Sequence, residues 1–382
     1  MPSARLFLIT RNLPPLRGGM ERLNARMAGE LAMSYEVTVF APKGSHADLG
    51  QGVRLRAAPV DGVAMFLMWS LFVVPMAALK WRPAWILGGS GLVAPIVRIA
   101  SLLSRARGAL YLHGLDVVVD HLVYKRLWLP LIRQTQLCVT NSRNTARLAR
   151  EAGVSAERLA IVCPGVELPS REVPPSAAAF RVRHGLGDGP VLLSVGRLTA
   201  RKGLGEFVEH GFAAVLAAFP EATLLVIGDE APDALSTRHG AGRRYVTEVA
   251  RRLGMDGHIR FLGPVNEGEL RAAYEASDLH LFPVRDLPGD VEGFGMVAIE
   301  SAAHGLPTVA FASGGVPDAV AEGVSGRLVT PGDYAALAQA AIQTLGMGRR
   351  SFDEGARAFA AGFAWPRFGQ QLRAALVEAE MA

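Results

Sequence analysis

Leu279–Gly315 reads LHLFPVRDLPGDVEGFGMVAIESAAHGLPTVAFASGG. It opens on an apolar run, Leu279–Val284, crosses a proline-containing loop to a tight Gly293-Phe294-Gly295 turn, and enters a helical stretch. It closes on a second apolar run, Thr308–Ala312. Strand, helix and strand in this order make a βαβ unit of a parallel sheet. Glu292 and Glu300 stand eight positions apart around the turn. The turn exposes backbone N–H groups, and a helix start adds a partial positive charge, which suits anionic or polyoxygenated ligands. Ionised carboxylates accept hydrogen bonds and do not donate them, so both glutamates match hydroxyl groups. The stretch points to a sugar or ribose joined to phosphate.

Gly293, Gly295 and Ala298 also spell GxGxxA. A dinucleotide fingerprint would come straight off a strand and find an acid closing the next one. Here the strand ends well before Gly293, and Thr308–Ala312 runs into Ser313 and Gly314 with no acid. A nicotinamide cofactor is therefore not expected. The plain alternative is a surface loop with two solvated glutamates.

At 382 residues, half of them hydrophobic and a fifth charged, the chain is long enough for two domains, each with its own core. Cys138 and Cys163 do not form a CxxC pair, so neither a metal ribbon nor a disulfide framework is expected. The amino-terminal MPSARLFLITRNLPP carries one short apolar run that reads as a first strand, with no secretory signal. The expected compartment is the cytoplasm.

Charge divides unevenly. Residues 1–168 hold 20 Lys and Arg against 10 Asp and Glu, whereas residues 169–382 hold 20 against 25. The basic half suits an anionic partner, either nucleic acid or an anionic membrane surface, and its apolar content favours the membrane. Val63–Leu79 (VAMFLMWSLFVVPMAAL) is uncharged, yet shorter than the ~20 residues of a membrane span and interrupted by Pro75. It reads as a buried helix of an α/β layer, or as a segment dipping into a membrane interface with Trp69 and Trp81 at its edge. The mixed basic and apolar stretches Arg98–Arg107 and Tyr124–Trp128 add to the second reading.

Apolar runs at Arg5–Thr10, Glu36–Ala41, Val53–Ala57, Trp85–Leu87, Ala109–Leu112, Leu137–Thr140 and Ala160–Val162 alternate with helical patterns. The rhythm breaks over the proline- and glycine-containing residues 169–189, which read as a linker. It restarts at Val191–Val195 and continues through Thr223–Ile227, His258–Leu262, Leu279–Pro283, Thr308–Ala312 and Arg327–Val329. The expected fold is α/β: two doubly wound Rossmann-like domains, residues 1–168 and 190–364, facing a central cleft. Trp365–Glu380 could close the second domain or pack back on the first. In open α/β sheets, ligands bind beyond the carboxyl ends of the strands.

Three strand ends carry candidate chemistry. Pro14-Pro15-Leu16-Arg17-Gly18-Gly19 follows the first strand and leads into a helix, whose start favours phosphate. Ser194–Gly203 (SVGRLTARKG) follows the first strand of the second half, with Arg197 and Lys202 flanking a short connection. A guanidinium grips phosphate oxygens bidentately, and an ammonium acts as a movable point charge. His113, in Tyr111-Leu112-His113-Gly114-Leu115-Asp116, ends another strand of the basic half and can handle a proton near neutral pH.

With PPLRGG, HGLD, VGRLTARKG and the E-x7-E of EGFGMVAIE in this order, the chain resembles the retaining GT-B glycosyltransferases of family 4 over nearly its whole length. The resemblance implies sugar transfer from a nucleotide donor, a UDP-sugar or GDP-sugar, to an acceptor held by the amino-terminal domain. It implies that Gly19 lies against the donor diphosphate, with Arg197 and Lys202 neutralising it. It places Glu292 at the sugar hydroxyls, helped by backbone near Phe294 and Gly295, and Glu300 at the ribose. His113 would contact the transferred sugar, and the base would lie near Gly263, Pro264 and Val265. It also implies a terminal helix that crosses back to the first domain. No cluster of metal-binding carboxylates is evident, so no metal or cofactor is expected, and the cations stand in for a divalent ion. Basic charge and interfacial aromatics suggest a lipid-linked or envelope glycan acceptor at the inner face of the cytoplasmic membrane. A sugar-nucleotide epimerase of the same fold, or a non-catalytic membrane-associated binding protein, is the competing reading. No nucleic-acid module accounts for the second half.

Overall fold

The computed structural model describes residues 4–16, 18–46, 49–169, 177–228, 230 and 242–381. The chain forms two compact units, Met1–Gly165 with Trp365–Ala382, and Val166–Ala364.

In the first unit seven strands, β1 (Arg5–Ile9), β2 (Glu36–Ala41), β3 (Val53–Ala57), β4 (Trp85–Gly88), β5 (Arg107–Leu112), β6 (Leu137–Thr140) and β7 (Leu159–Ile161), form one sheet. Its order is β3-β2-β1-β4-β5-β6-β7, parallel throughout. β1, β4, β5 and β6 are almost wholly buried, as expected of parallel strands covered by helices on both faces. The order reverses between β1 and β4, which opens a crevice at their carboxyl ends. Helix α1 (Gly19–Ala32) follows β1, α2 (Val63–Trp81) precedes β4, and α3 (Ala94–Ser104) follows it.

The apolar stretch at Val63 is a single helix through Pro75, which does not interrupt it. Pro75 is buried with Val74, Ala77 and Ala78, and this packing offsets the backbone hydrogen bond that a proline ring removes. The opposite face is open: Met65, Met68, Phe72, Met76 and Leu79 are exposed. By length and composition the helix could cross a membrane, and about a third of it is buried inside the protein.

The Trp365–Met381 helix belongs to this unit. Phe368 lies 6.2 Å from the Tyr111 ring, Trp85 Nε1 donates to Glu380 Oε1 at 2.8 Å, and Gln136 Nε2 donates to Ala379 O at 3.2 Å. Trp365 covers Gly165 so closely that a Cβ there would stand 2.3 Å from its ring.

The second unit contains β8 (Val191–Val195), β9 (Thr223–Ile227), β10 (Ile259–Gly263), β11 (Leu279–Phe282), β12 (Thr308–Phe311) and β13 (Gly326–Val329). The parallel order β10-β9-β8-β11-β12-β13 reverses between β8 and β11. Part of the stretch read as a linker is ordered secondary structure: Ala177–His184 is a helix. Its Phe180 is buried with Leu186 against Leu193 and Tyr274, and Arg181 binds Asp278 at 2.7 Å. Apolar burial of these two residues outweighs the local turn signals that mark the segment. Residues 170–176 of that stretch lie outside the described residues.

Candidate active site

The carboxyl ends of β8 and β11, which flank the reversal point of the second sheet, carry the main charge cluster. Gly196 leaves β8 with φ +134°, and Gly203, with φ +66°, caps the next helix. A Cβ at Gly203 would fall 2.1 Å from Pro283 O, so only glycine lets the two loops touch. Arg285 N donates to Arg201 O at 2.8 Å and ties them together.

On this frame Lys202 Nζ donates to Glu292 Oε2 at 2.8 Å. Arg201 bridges the same Oε2 and Asp290 Oδ1, the latter at 2.9 Å. Both cations take one oxygen, and Glu292 Oε1 has no partner among the described residues. Burial opposes the Glu292 charge, but Arg201 and Lys202 outweigh it and hold the carboxyl down at about 2. The group is thus a permanent acceptor. Burial, opposed by Glu292, lowers Lys202 below its ordinary value. Lys202 also lies 4.6 Å above the Phe282 ring, whose other neighbour is the stacked His280. Burial, with a smaller push from Lys202, brings His280 to about 3, so no further positive charge arises beneath the lysine.

Glu292 leads into the glycine turn. Gly295 caps the Met296–Ala303 helix at φ +97°, and the first turn of a helix leaves N–H groups without intrahelical acceptors. The turn is backed by Ser313–Gly315: Gly315 N donates to Glu292 O at 2.9 Å, and a Cβ at Gly315 would stand 2.0 Å from Gly293 O. Phe294 is buried with its ring 5.8 Å from Phe363, so only its backbone faces the turn. Glu300 lies on the same helix, where Tyr274 Oη donates to its Oε2 at 3.2 Å. Tyr274 is itself stacked on His304 at 5.0 Å. Arg197 is exposed just beyond β8. Gly263 ends β10 at φ +70°, and its carbonyl accepts from Gly228 N at 3.0 Å; Pro264 is exposed and Val265 half-buried beside it.

In the first unit, His113 follows β5. Its Nε2 donates to Gly89 O at 2.8 Å, because a carbonyl only accepts. Asp116 clamps two loops, with Oδ2 accepting from His113 N at 2.7 Å and Oδ1 from Gly91 N at 2.9 Å. Gly19 is the first residue of α1. Beside it Glu21 folds over Gly18, held by Asn12 Nδ2 at 2.7 Å, so a carboxylate already lies at that helix start. Arg17 is outside the described residues.

The structure thus brings Lys202 and Glu292 into direct contact, with Arg197, Phe294 and Gly295 on the same two loops and Glu300 one helix on. Gly263–Val265 lie at another strand end of that sheet, and His113 and Gly19 belong to the other unit. Sequence reasoning missed Arg201, Asp290, Asp116, Glu21 and Tyr274. The one available signal was two adjacent cations on one strand-end loop facing two acids on the next.

Two doubly wound sheets of this kind, with a cation-bearing loop and a carboxylate-bearing glycine turn at neighbouring strand ends, define a nucleotide-sugar-dependent glycosyltransferase of GT-B fold. Residues 17–169 match the family model for Glycosyltransferase Family 4, and residues 189–346 that for Glycosyl transferases group 1. The chain belongs to glycosyltransferase family 4. It is 30% identical over 361 residues to a GDP-mannose-dependent alpha-(1-6)-phosphatidylinositol monomannoside mannosyltransferase of Mycolicibacterium smegmatis, covering 91% of this chain and 90% of that one. It is 35% identical to the D-inositol 3-phosphate glycosyltransferase of Geodermatophilus obscurus over 66% of this chain and 55% of the relative. Among solved structures, Anabaena HepE in complex with UDP and glucose shares the fold with a TM-score of 0.77 at 22% identity, covering 98% of this chain and 99% of that one.

Proposed function

We propose that this glycosyltransferase moves a hexose with retention from a GDP-sugar to a phosphate-bearing lipid or glycan acceptor at the inner face of the cytoplasmic membrane. The observation that carries the donor site is the Lys202–Glu292 contact beside the glycine turn: a phosphate-directed cation and an ionised acceptor with one oxygen open. A GDP-sugar is favoured because the M. smegmatis relative, which this chain covers to 90% of its length, is named for GDP-mannose.

In this reading Glu292 Oε1 accepts from hydroxyls of the donor sugar, Glu300 from the ribose, and the N–H groups at Phe294 and Gly295 assist. The base lies along Gly263, Pro264 and Val265. Cleavage of the bond between the anomeric carbon and the phosphate oxygen puts negative charge on the leaving diphosphate and positive charge on the sugar. Arg197 and Lys202 stabilise the leaving group with charges already in place. These cations do the work that a divalent ion would do, so activity needs none. His113 contacts the transferred sugar. The acceptor hydroxyl forms the new bond on the face the phosphate leaves, and a phosphate oxygen takes its proton.

The basic first unit and the open face of α2 support membrane contact. Thermal unfolding with UDP, GDP and ADP, beside Lys202→Ala, tests the donor site. At ~100-fold over Kd a ligand adds about 2.7 kcal/mol to the native state. A rise with GDP that is lost in the variant is the expected result. Folded protein that responds to none of the three would sink the donor assignment.

A further inference from the structure

A cavity of about 280 Å³ opens at the amino ends of β5 and β6, the edge of the first sheet opposite to the one bearing His113. Its walls include Arg98, Ser101, Leu102 and Arg105 from α3 and its carboxyl end, with Gln134 and Gln136 leading into β6. Arg98 and Ser101 are three apart on α3, on one helix face, and Arg105 follows the last helical residue with φ +62°, its side chain also lining the cavity. No lining residue is acidic. Neither arginine has a hydrogen bond or ion pair among the described residues.

An independent observation comes from Ser101. Its hydroxyl is buried without a hydrogen-bond partner, although buried polar groups are as a rule satisfied. Gly108 packs against this hydroxyl, and a Cβ there would stand 3.0 Å from Ser101 Oγ. Two unpaired guanidiniums and one orphaned hydroxyl, beside the Gln134 amide, call for a compact anion with several acceptor oxygens. The carboxyl end of α3 contributes a partial negative charge there, which two full positive charges outweigh.

We propose that this pocket binds a phosphate ester, gripped by Arg98 and Arg105 and accepting from Ser101 Oγ. The ester is either a phospholipid headgroup, whose acyl chains would meet exposed Ile99, Leu102 and Leu103, or a free phosphate compound. The site stands apart from the donor-binding residues and does not depend on their assignment.

Binding of glycerol phosphate to the full chain by calorimetry tests one source. Sedimentation with phosphatidylcholine vesicles, with and without phosphatidylglycerol, tests the other. Each is run with the native chain, with Arg98→Gln/Arg105→Gln and with Ser101→Ala. The double variant is expected to lose roughly a hundredfold in affinity for whichever source binds, and Ser101→Ala roughly tenfold. Both variants should keep the native melting temperature, which shows that they fold. Loss for glycerol phosphate alone assigns a soluble ester, and loss for phosphatidylglycerol vesicles alone assigns a lipid. Equal binding of native and variant proteins to both probes, or no binding by the native chain, overturns the proposal.

Discussion

Lys202 Nζ and Glu292 Oε2 are 2.8 Å apart on loops from neighbouring strands, so the cation assigned to the phosphate is held by the carboxylate assigned to the sugar. Removing either changes the other's position as well as its own contact. Lys202→Ala and Glu292→Gln should therefore be non-additive, with a coupling of ~0.5–3 kcal/mol in GDP-sugar affinity. Titration of both single variants and the double variant gives this term, and simple additivity would show that the two groups act separately.

Acid should act through Glu292. Its folded-state value, about 2 against an ordinary 4.5, means that the charged form is favoured by folding. The associated stability is fully present above pH 4.5 and is lost as pH falls toward 2, on the order of 3 kcal/mol. Denaturant titrations at stepwise lower pH should show a steeper loss for the native protein than for Glu292→Gln. Parallel slopes would mean that the carboxyl is not held low.

Gly315→Ala should disturb the turn without touching a charge. Its new methyl would meet Gly293 O and Phe294 Cα, both backbone. A destabilisation of about 1–3 kcal/mol is expected, with weaker GDP binding in the folded fraction. An unchanged melting temperature would contradict the packing of these two loops.

Asp116→Asn keeps the shape but leaves one of two acceptors, so either His113 N or Gly91 N loses its partner. The expected cost is ~1–3 kcal/mol and a fall in turnover, with GDP affinity unchanged because the residue lies in the first unit. Lost GDP affinity would argue against this separation.

Replacing Met68, Phe72 and Met76 by Gln should barely alter stability, since the three side chains are 54%, 64% and 67% exposed. Sedimentation with anionic vesicles should fall sharply. Undiminished sedimentation would remove α2 from the membrane contact.

The strands were legible because parallel strands buried on both faces are short unbroken apolar runs, from Leu6–Ile9 to Val309–Phe311. Ala177–His184 was hidden, since a helix anchored by Phe180 alone carries little periodic signal beside the prolines that precede it. Glu292 and Lys202 could be picked out by residue type and by their place after strands. Their mutual contact could not, because it joins residues ninety positions apart across the reversal of strand order. Arg201 was quoted but given no role, for the same reason: Asp290, the acid it binds besides Glu292, is distant in sequence.

The Trp365–Met381 helix has a consequence for biosynthesis. Residues 166–364 leave the ribosome before the helix that covers Tyr111 and reaches Trp85. Domains generally fold in the order in which they are made. Here the unit begun first is completed by a helix made last, and until that helix arrives the part of the sheet around Tyr111 and Trp85 waits uncovered.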